Sequence, residues 1–190
     1  MSLSVILYIA LSLDGYIATA DGSVEWLSPF EAEDEDYGYA PFFDSIDGLV
    51  MGRVTYEQVL GFGDWVYGDK PCWVCTGRSL EPPHPNIVIT HQAPTQLVQT
   101  IQQQGVQRLW MVGGGKLVTA FREAGLISEF ILSWMPVLLG AGIPLFSGEE
   151  RIETLQLIKS QVFDSGVIQT HYVHPATRCS ESVQQILRGI

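Results

Sequence analysis

The sequence predicts an α/β fold with a mixed central sheet, mostly parallel, that turns antiparallel at its C-terminal edge. Apolar, β-branched segments recur at 4–11, 47–51, 72–76, 86–90, 107–112, 127–135, about 154–163 and 167–174. Helical segments separate several of the earlier ones, the alternation that makes crossovers between parallel strands. Beyond residue 127 the helices thin out, so the last three strands lie close enough in sequence to pair as antiparallel neighbours.

The first strand runs straight into Asp14-Gly15 and lacks both a basic start and a small-residue cleavage pattern, so it reads as core and not as a signal peptide. Ser28-Pro29-Phe30-Glu31 has the form of a capping box with proline in the first turn, which predicts a short helix starting there. Gly38 and Pro41 argue against its continuing unbroken to residue 46. The acidic cluster Glu31, Glu33, Asp34, Glu35 and Asp36 reads either as a solvated face or as the source of one carboxylate for a polar heterocycle. Residues 94–104 open with a proline, place Leu97, Val98 and Ile101 on one face and stop at Gly105, which makes a crossover helix.

A chain of 190 residues with 46% hydrophobic content suits one domain, here 1–175, followed by a polar tail at 176–190. Its 21 acidic against 10 basic residues give a net charge of −11, which disfavours a nucleic-acid backbone or an anionic membrane as partner. No run approaches the roughly 20 apolar residues of a membrane span, so a soluble cytoplasmic protein is expected. Cys72-Trp73-Val74-Cys75 has redox or zinc spacing, but in a strand residues three apart point to opposite faces. These are structural cysteines, and no metal site is expected.

Three turns share one construction. Val112-Gly113-Gly114-Gly115-Lys116-Leu117 follows a strand and opens a helix, so free N–H groups and the positive helix end converge where glycines admit a close ligand. It is neither a P-loop nor a GxGxxG fingerprint, since Trp110 and Val118 stand where glycines would be needed. Gly52-Arg53-Val54-Thr55 repeats the strand-to-helix passage with a guanidinium and a hydroxyl at its start. Cys75-Thr76-Gly77-Arg78 repeats the idea at another strand end. Strand C-termini of an open α/β sheet lie along one ligand-binding edge, so the three turns together point to one long polyanion, such as a phosphorylated dinucleotide. Arg53 and Arg78 favour NADPH over NADH, the extra ribose phosphate calling for fixed positive charge.

With these turns in hand, the chain resembles, over about residues 4–175, the dihydrofolate reductase fold family and its relative, the reductase domain of the riboflavin-biosynthesis protein RibD. The resemblance is carried by Ala10-Leu11-Ser12-Leu13-Asp14-Gly15-Tyr16-Ile17-Ala18, Gly22-Ser23-Val24-Glu25-Trp26, Met51-Gly52-Arg53-Val54-Thr55-Tyr56-Glu57, Thr76-Gly77-Arg78 and the triple-glycine turn. It implies a dihydrofolate reductase-like three-layer αβα fold, an NADPH-dependent reductase and a homodimer. It also implies a mobile loop over the nicotinamide at Asp14–Trp26, a cis Gly113-Gly114 bond, and Ala10 and Ile17 lining the nicotinamide. Trp26 would close that loop. Counting from Trp26, Glu31 matches a substrate-binding carboxylate of dihydrofolate reductases, although it equally serves to close the capping box with Ser28.

No arginine or lysine lies between Arg53 and Lys70 to clamp a folate tail. Val112, Phe43 and Asp44 replace the acidic residue and the arginine that help RibD-type reductases hold a phosphoribosyl pyrimidine. What the resemblance implies as substrate is a pyrimidine or pterin-like small molecule accepting hydride at a C=N-type centre. The alternative is an NADPH-binding protein without efficient catalysis. Trp65 and the Gly140–Pro144 turn are further candidates for the pocket wall, Trp65 being equally suited to the core or a dimer interface.

Overall fold

The computed structural model describes residues 3–31 and 35–175. In chain order it contains β1 (Ser4–Ser12), β2 (Tyr16–Ala18), a short 3-10 helix (Glu25–Phe30), α1 (Tyr39–Ser45), β3 (Gly48–Gly52), α2 (Arg53–Gly61), β4 (Cys72–Cys75) and β5 (Ile87–Thr90). Then follow α3 (Pro94–Gln103), β6 (Arg108–Gly113), α4 (Gly115–Glu123), β7 (Glu129–Met135), β8 (Ile143–Pro144), β9 (Gln156–Val162) and β10 (Ile168–Val173).

Eight strands form one sheet in the order β5-β4-β3-β6-β1-β7-β10-β9. The pairs from β5 to β7 are parallel, and β10 joins β7 and β9 antiparallel. The expected mixed sheet is therefore present, with the antiparallel strands at the predicted edge.

Alternation along the central strand builds the layers. Val5, Leu7 and Leu11 of β1 face Leu97 and Ile101 of α3 and Val118 and Phe121 of α4. Ile6 faces the other way, onto Phe42 of α1 and Tyr56 and Val59 of α2. Helices thus cover both faces, as a parallel sheet requires. Each of these side chains is nearly or wholly excluded from water, and such burial contributes about 1.5–3 kcal/mol apiece as an upper estimate. The helix over 94–104 forms as expected, with Pro94 in its first turn and Gly105 beyond its end at φ +88°.

Two local expectations change. The helical turn before residue 31 starts at Glu25 and not at Ser28, because the Ser23 hydroxyl accepts the Glu25 N–H at 3.2 Å and Trp26, Leu27 and Phe30 pack beside Met135, Phe163 and Val167. Glu31 therefore ends a 3-10 turn and closes no capping box. Helix structure resumes at α1, with Gly38 (φ +79°) as its N-cap and Pro41 in the first turn, where no N–H is needed. The strand pair β2 and β8, a separate two-stranded sheet, was not anticipated. The 176–190 tail lies outside the described residues.

At the N-terminal end of the sheet, Glu129 of β7 is 1% exposed. Its carboxylate accepts from Ser4 Oγ of β1 at 2.8 Å and from His171 Nε2 of β10 at 3.1 Å, with Arg108 of β6 at 3.7 Å. Burial pushes its pKa up, but the hydrogen bonds from His171 and Ser4 and the charge of Arg108 outweigh it, so the net shift is downward. One buried carboxylate thereby stitches four strands.

Candidate functional site

The opposite end of the sheet holds a cleft of about 750 Å³. Three helices begin at its rim: α2 after Gly52, α4 after Gly114 and α3 after Ala93, none of them with a side-chain cap. Their first-turn N–H groups are thus left without side-chain caps, and the positive ends of the helices gather at one edge.

The sequence-predicted residues meet there. Gly52, Arg53, Val54 and Thr55 line the cleft from the start of α2, and Cys75, Thr76 and Gly77 from the end of β4. Val112, Gly113, Gly114, Gly115, Lys116 and Leu117 line it from the β6–α4 turn, with Ala10 and Ile17 on the wall made by β1 and β2. Arg78, Trp26 and Glu31 do not line it. Arg78 is exposed, its N–H bound to Thr76 Oγ1 at 3.0 Å. Trp26 packs against the cluster of Met135, Phe163 and Val167, its buried Nε1 without a protein partner. Glu31 is exposed to solvent, because the early start of the 3-10 turn carries it past the packed face.

The glycines have separate reasons. Gly113 and Gly114 sit at φ +152° and +101°, which strains any residue with a Cβ. A Cβ on Gly114 would also stand 3.2 Å from Thr55 Oγ1, and one on Gly115 would meet Pro144 O at 2.9 Å. No cis peptide bond occurs among the described residues, so the expected cis Gly113-Gly114 bond is absent; positive φ at the two glycines makes the bend. The third glycine therefore serves packing against β8.

Charge is distributed unevenly. Among the described residues lining the cleft there are two cations, Arg53 and Lys116, and no Asp or Glu, in a chain of net charge −11. Arg53 Nη1 donates to both oxygens of Glu57, one turn further on, at 2.8 and 2.6 Å. That partly exposed pair holds the guanidinium at the rim. Burial pushes the Cys75 thiol up to about 11 and the Cys72 thiol up to about 12, so both are neutral, and they lie on opposite faces of the sheet as expected. No group of three or more His, Cys, Asp or Glu able to hold a metal occurs among the described residues.

The Asp14–Trp26 segment is pinned over part of its length. Asp14 accepts from Ser12 Oγ at 2.6 Å and from the N–H groups of Gly140 and Leu139 at 2.7 and 3.2 Å, bonds that lower its pKa. Gly15 O accepts from Leu145 N–H at 3.0 Å, and β2 pairs with β8. Of the Gly140–Pro144 turn only Ile143 reaches the cleft. Trp65 does not: it belongs to an aromatic group with Tyr56 and Tyr67 at 6.1 and 5.1 Å.

Several wall residues escaped sequence reasoning, among them Val24, Leu27, Gln58 and Gln92. Gln58 had a usable signal, lying three residues after Thr55 and four after Val54 on one helix face. No helix among the described residues is long and apolar enough to cross a membrane.

Comparison with known proteins agrees with this architecture. The family model for the RibD C-terminal domain matches residues 3–169. The protein YwjB of Bacillus subtilis is 37% identical over 174 residues, 91% of this chain and 99% of that one. RibD of Mycobacterium tuberculosis is 27% identical over 144 residues, 70% of this chain but 42% of that protein. Among solved structures, a putative riboflavin biosynthesis protein from Shewanella sp. PV-4 superposes with a TM-score of 0.83 at 33% identity, covering 90% of this chain and 99% of that one. A deaminase/5-amino-6-(5-phosphoribosylamino)uracil reductase of Thermotoga maritima gives 0.69 at 13% identity, over 91% of this chain and 57% of that one, a likeness of fold alone. With the model match covering most of its length and the dihydrofolate reductase-like sheet of those neighbours, this chain belongs to the RibD C-terminal domain family.

Proposed function

We propose that this protein is an NADPH-dependent reductase acting on a heterocyclic small molecule, in the manner of the RibD-type 5-amino-6-(5-phosphoribosylamino)uracil reductases. The observation that carries this reading is the cleft: three uncapped helix starts and two cations, with no lining Asp or Glu among the described residues, in a strongly acidic chain. Anions bind at such helix starts without further help.

The residues present fit the cofactor. Gly113 and Gly114 leave the main chain open where side chains would intrude, and the cavity is within the range of small-molecule sites. The N–H groups of the α2 and α4 first turns, with Arg53, Thr55 and Lys116, would hold the pyrophosphate, and Thr76 the ribose phosphate, with the expected contribution of Arg78 weakened by its place outside the cleft. Ala10 and Ile17 would flank the nicotinamide, which supplies the hydride when bound. Val24 and Leu27 exclude water from that end, and the pinned β2 and β8 fix its wall.

A second reading, an NADPH-binding protein without efficient turnover, is favoured by one observation: Glu31, the only carboxylate proposed for the substrate, stands outside the cleft. A dihydrofolate reductase-like activity on pterins would need that carboxylate and is weakened with it. NADPH oxidation against a panel of pyrimidines, pterins and carbonyl compounds separates the readings. Turnover on any of them supports the reductase, and binding without turnover on all supports the second reading.

We further propose a homodimer in the cytoplasm. Leu157 and Val162 of β9 and Ile168 of β10 are exposed on the outer strands, beyond the helices. Light scattering of the wild type and of Val162→Lys tests this, with a change of mass in the variant expected.

A further inference from the structure

Gln58 stands one helical turn beyond Thr55, displaced from the start of α2 by about 7.5 Å along the axis. It shares the cleft with Ala10, Gly22, Val24 and Leu27, which offer no polar side chain. Gln58 is half-buried, and its Nε2 donates to Gly22 O at 3.1 Å, tying α2 to the turn that follows β2.

A primary amide has two N–H donors and an oxygen with two lone pairs. The bond to Gly22 uses one N–H. No hydrogen bond within the protein engages Oε1 among the described residues, and the atom is not sealed from solvent. One donor and one acceptor therefore remain on a side chain fixed in place by its own first bond. That pair is self-complementary to the –NH–C(=O)– edge of a lactam.

Resting on the cofactor reading above, we infer that Gln58 is the specificity-determining residue of the cleft and selects a heterocycle with a lactam edge. Binding a lactam leaves the Gly22 bond intact, so recognition costs no rearrangement of the turn. A ligand lacking the N–H would cover that acceptor without pairing it, the kind of mismatch that discriminates strongly.

The probes are lumazine, which carries ring N–H groups beside carbonyls, and 1,3-dimethyllumazine, in which those N–H groups are replaced by methyls. Each is titrated by calorimetry into wild type, Gln58→Met and Gln58→Glu, all first saturated with NADP⁺ and checked for that saturation independently. Wild type should prefer lumazine by about tenfold or more, with Gln58→Met losing the preference. Gln58→Glu, which keeps an acceptor but loses the donors, should retain part of it. An unchanged preference in Gln58→Met, or no binding of either probe by protein that has bound NADP⁺, would overturn the assignment while leaving the cofactor reading intact. Failure of NADP⁺ itself to bind would remove both.

Discussion

Thr55 and Gly114 meet across the floor of the cleft: a Cβ on Gly114 would come within 3.2 Å of Thr55 Oγ1. The starts of α2 and α4 are thereby brought side by side, with N–H groups converging on one volume. Gly114 also sits at φ +101°, so Gly114→Ala adds backbone strain to the clash. The variant should lose about 1–3 kcal/mol of stability, read by denaturant unfolding. Its affinity for NADPH should fall at least about tenfold, since 1.4 kcal/mol of binding is enough for that.

The Arg53–Glu57 pair predicts opposite effects from its two members. Arg53→Ala removes a cation from the rim and should weaken NADPH binding. Glu57→Gln removes the carboxylate that shares the guanidinium and should strengthen it by a few fold. Neither change should shift the melting temperature by much, because exposed i,i+4 pairs contribute about 0.3–0.5 kcal/mol. Both binding effects should shrink as salt is raised.

Glu129 predicts an acid-sensitive fold. Its pKa is lowered in the folded state, so the stabilisation is complete above the unfolded value and is lost as pH falls through the folded one. Glu129→Gln should be destabilised by about 1–3 kcal/mol near neutral pH. The gap to wild type should narrow progressively below about pH 4, close to the ordinary glutamate value. Unfolding curves at several pH values check both statements.

Ile101 is fully buried between α3 and the sheet, away from the cleft. Ile101→Ala should cost about 2–5 kcal/mol, the usual range for a cavity of this kind. The protein that remains folded should bind NADPH as wild type does, which separates core damage from site damage.

Much of this was legible in the sequence because it is local. β1, β3, β4 and β6 are continuous apolar runs ending in glycine or small polar residues, and parallel pairing then brings their C-termini to one edge. The three turns thus fall together on the sequence pattern alone. What escaped depends on distant partners. β2 and β8 are too short to carry a period, and they exist because Gly142 lets the chain pass against the Ala18 carbonyl. Ser28-Pro29-Phe30-Glu31 satisfies the capping pattern, yet Ser23 and the packing of Trp26 start the turn earlier. Glu129 reads as an ordinary strand-end acid until Ser4, Arg108 and His171 arrive from three other strands.

Fluorescence titration of the purified protein with NADPH and NADH, using its five tryptophans as reporters, tests the cleft most directly. Saturable binding that favours NADPH, weakened by Arg53→Ala and by Gly114→Ala, is the predicted result. Absence of binding by either nucleotide to folded wild-type protein would contradict it and leave the triple-glycine turn as architecture alone.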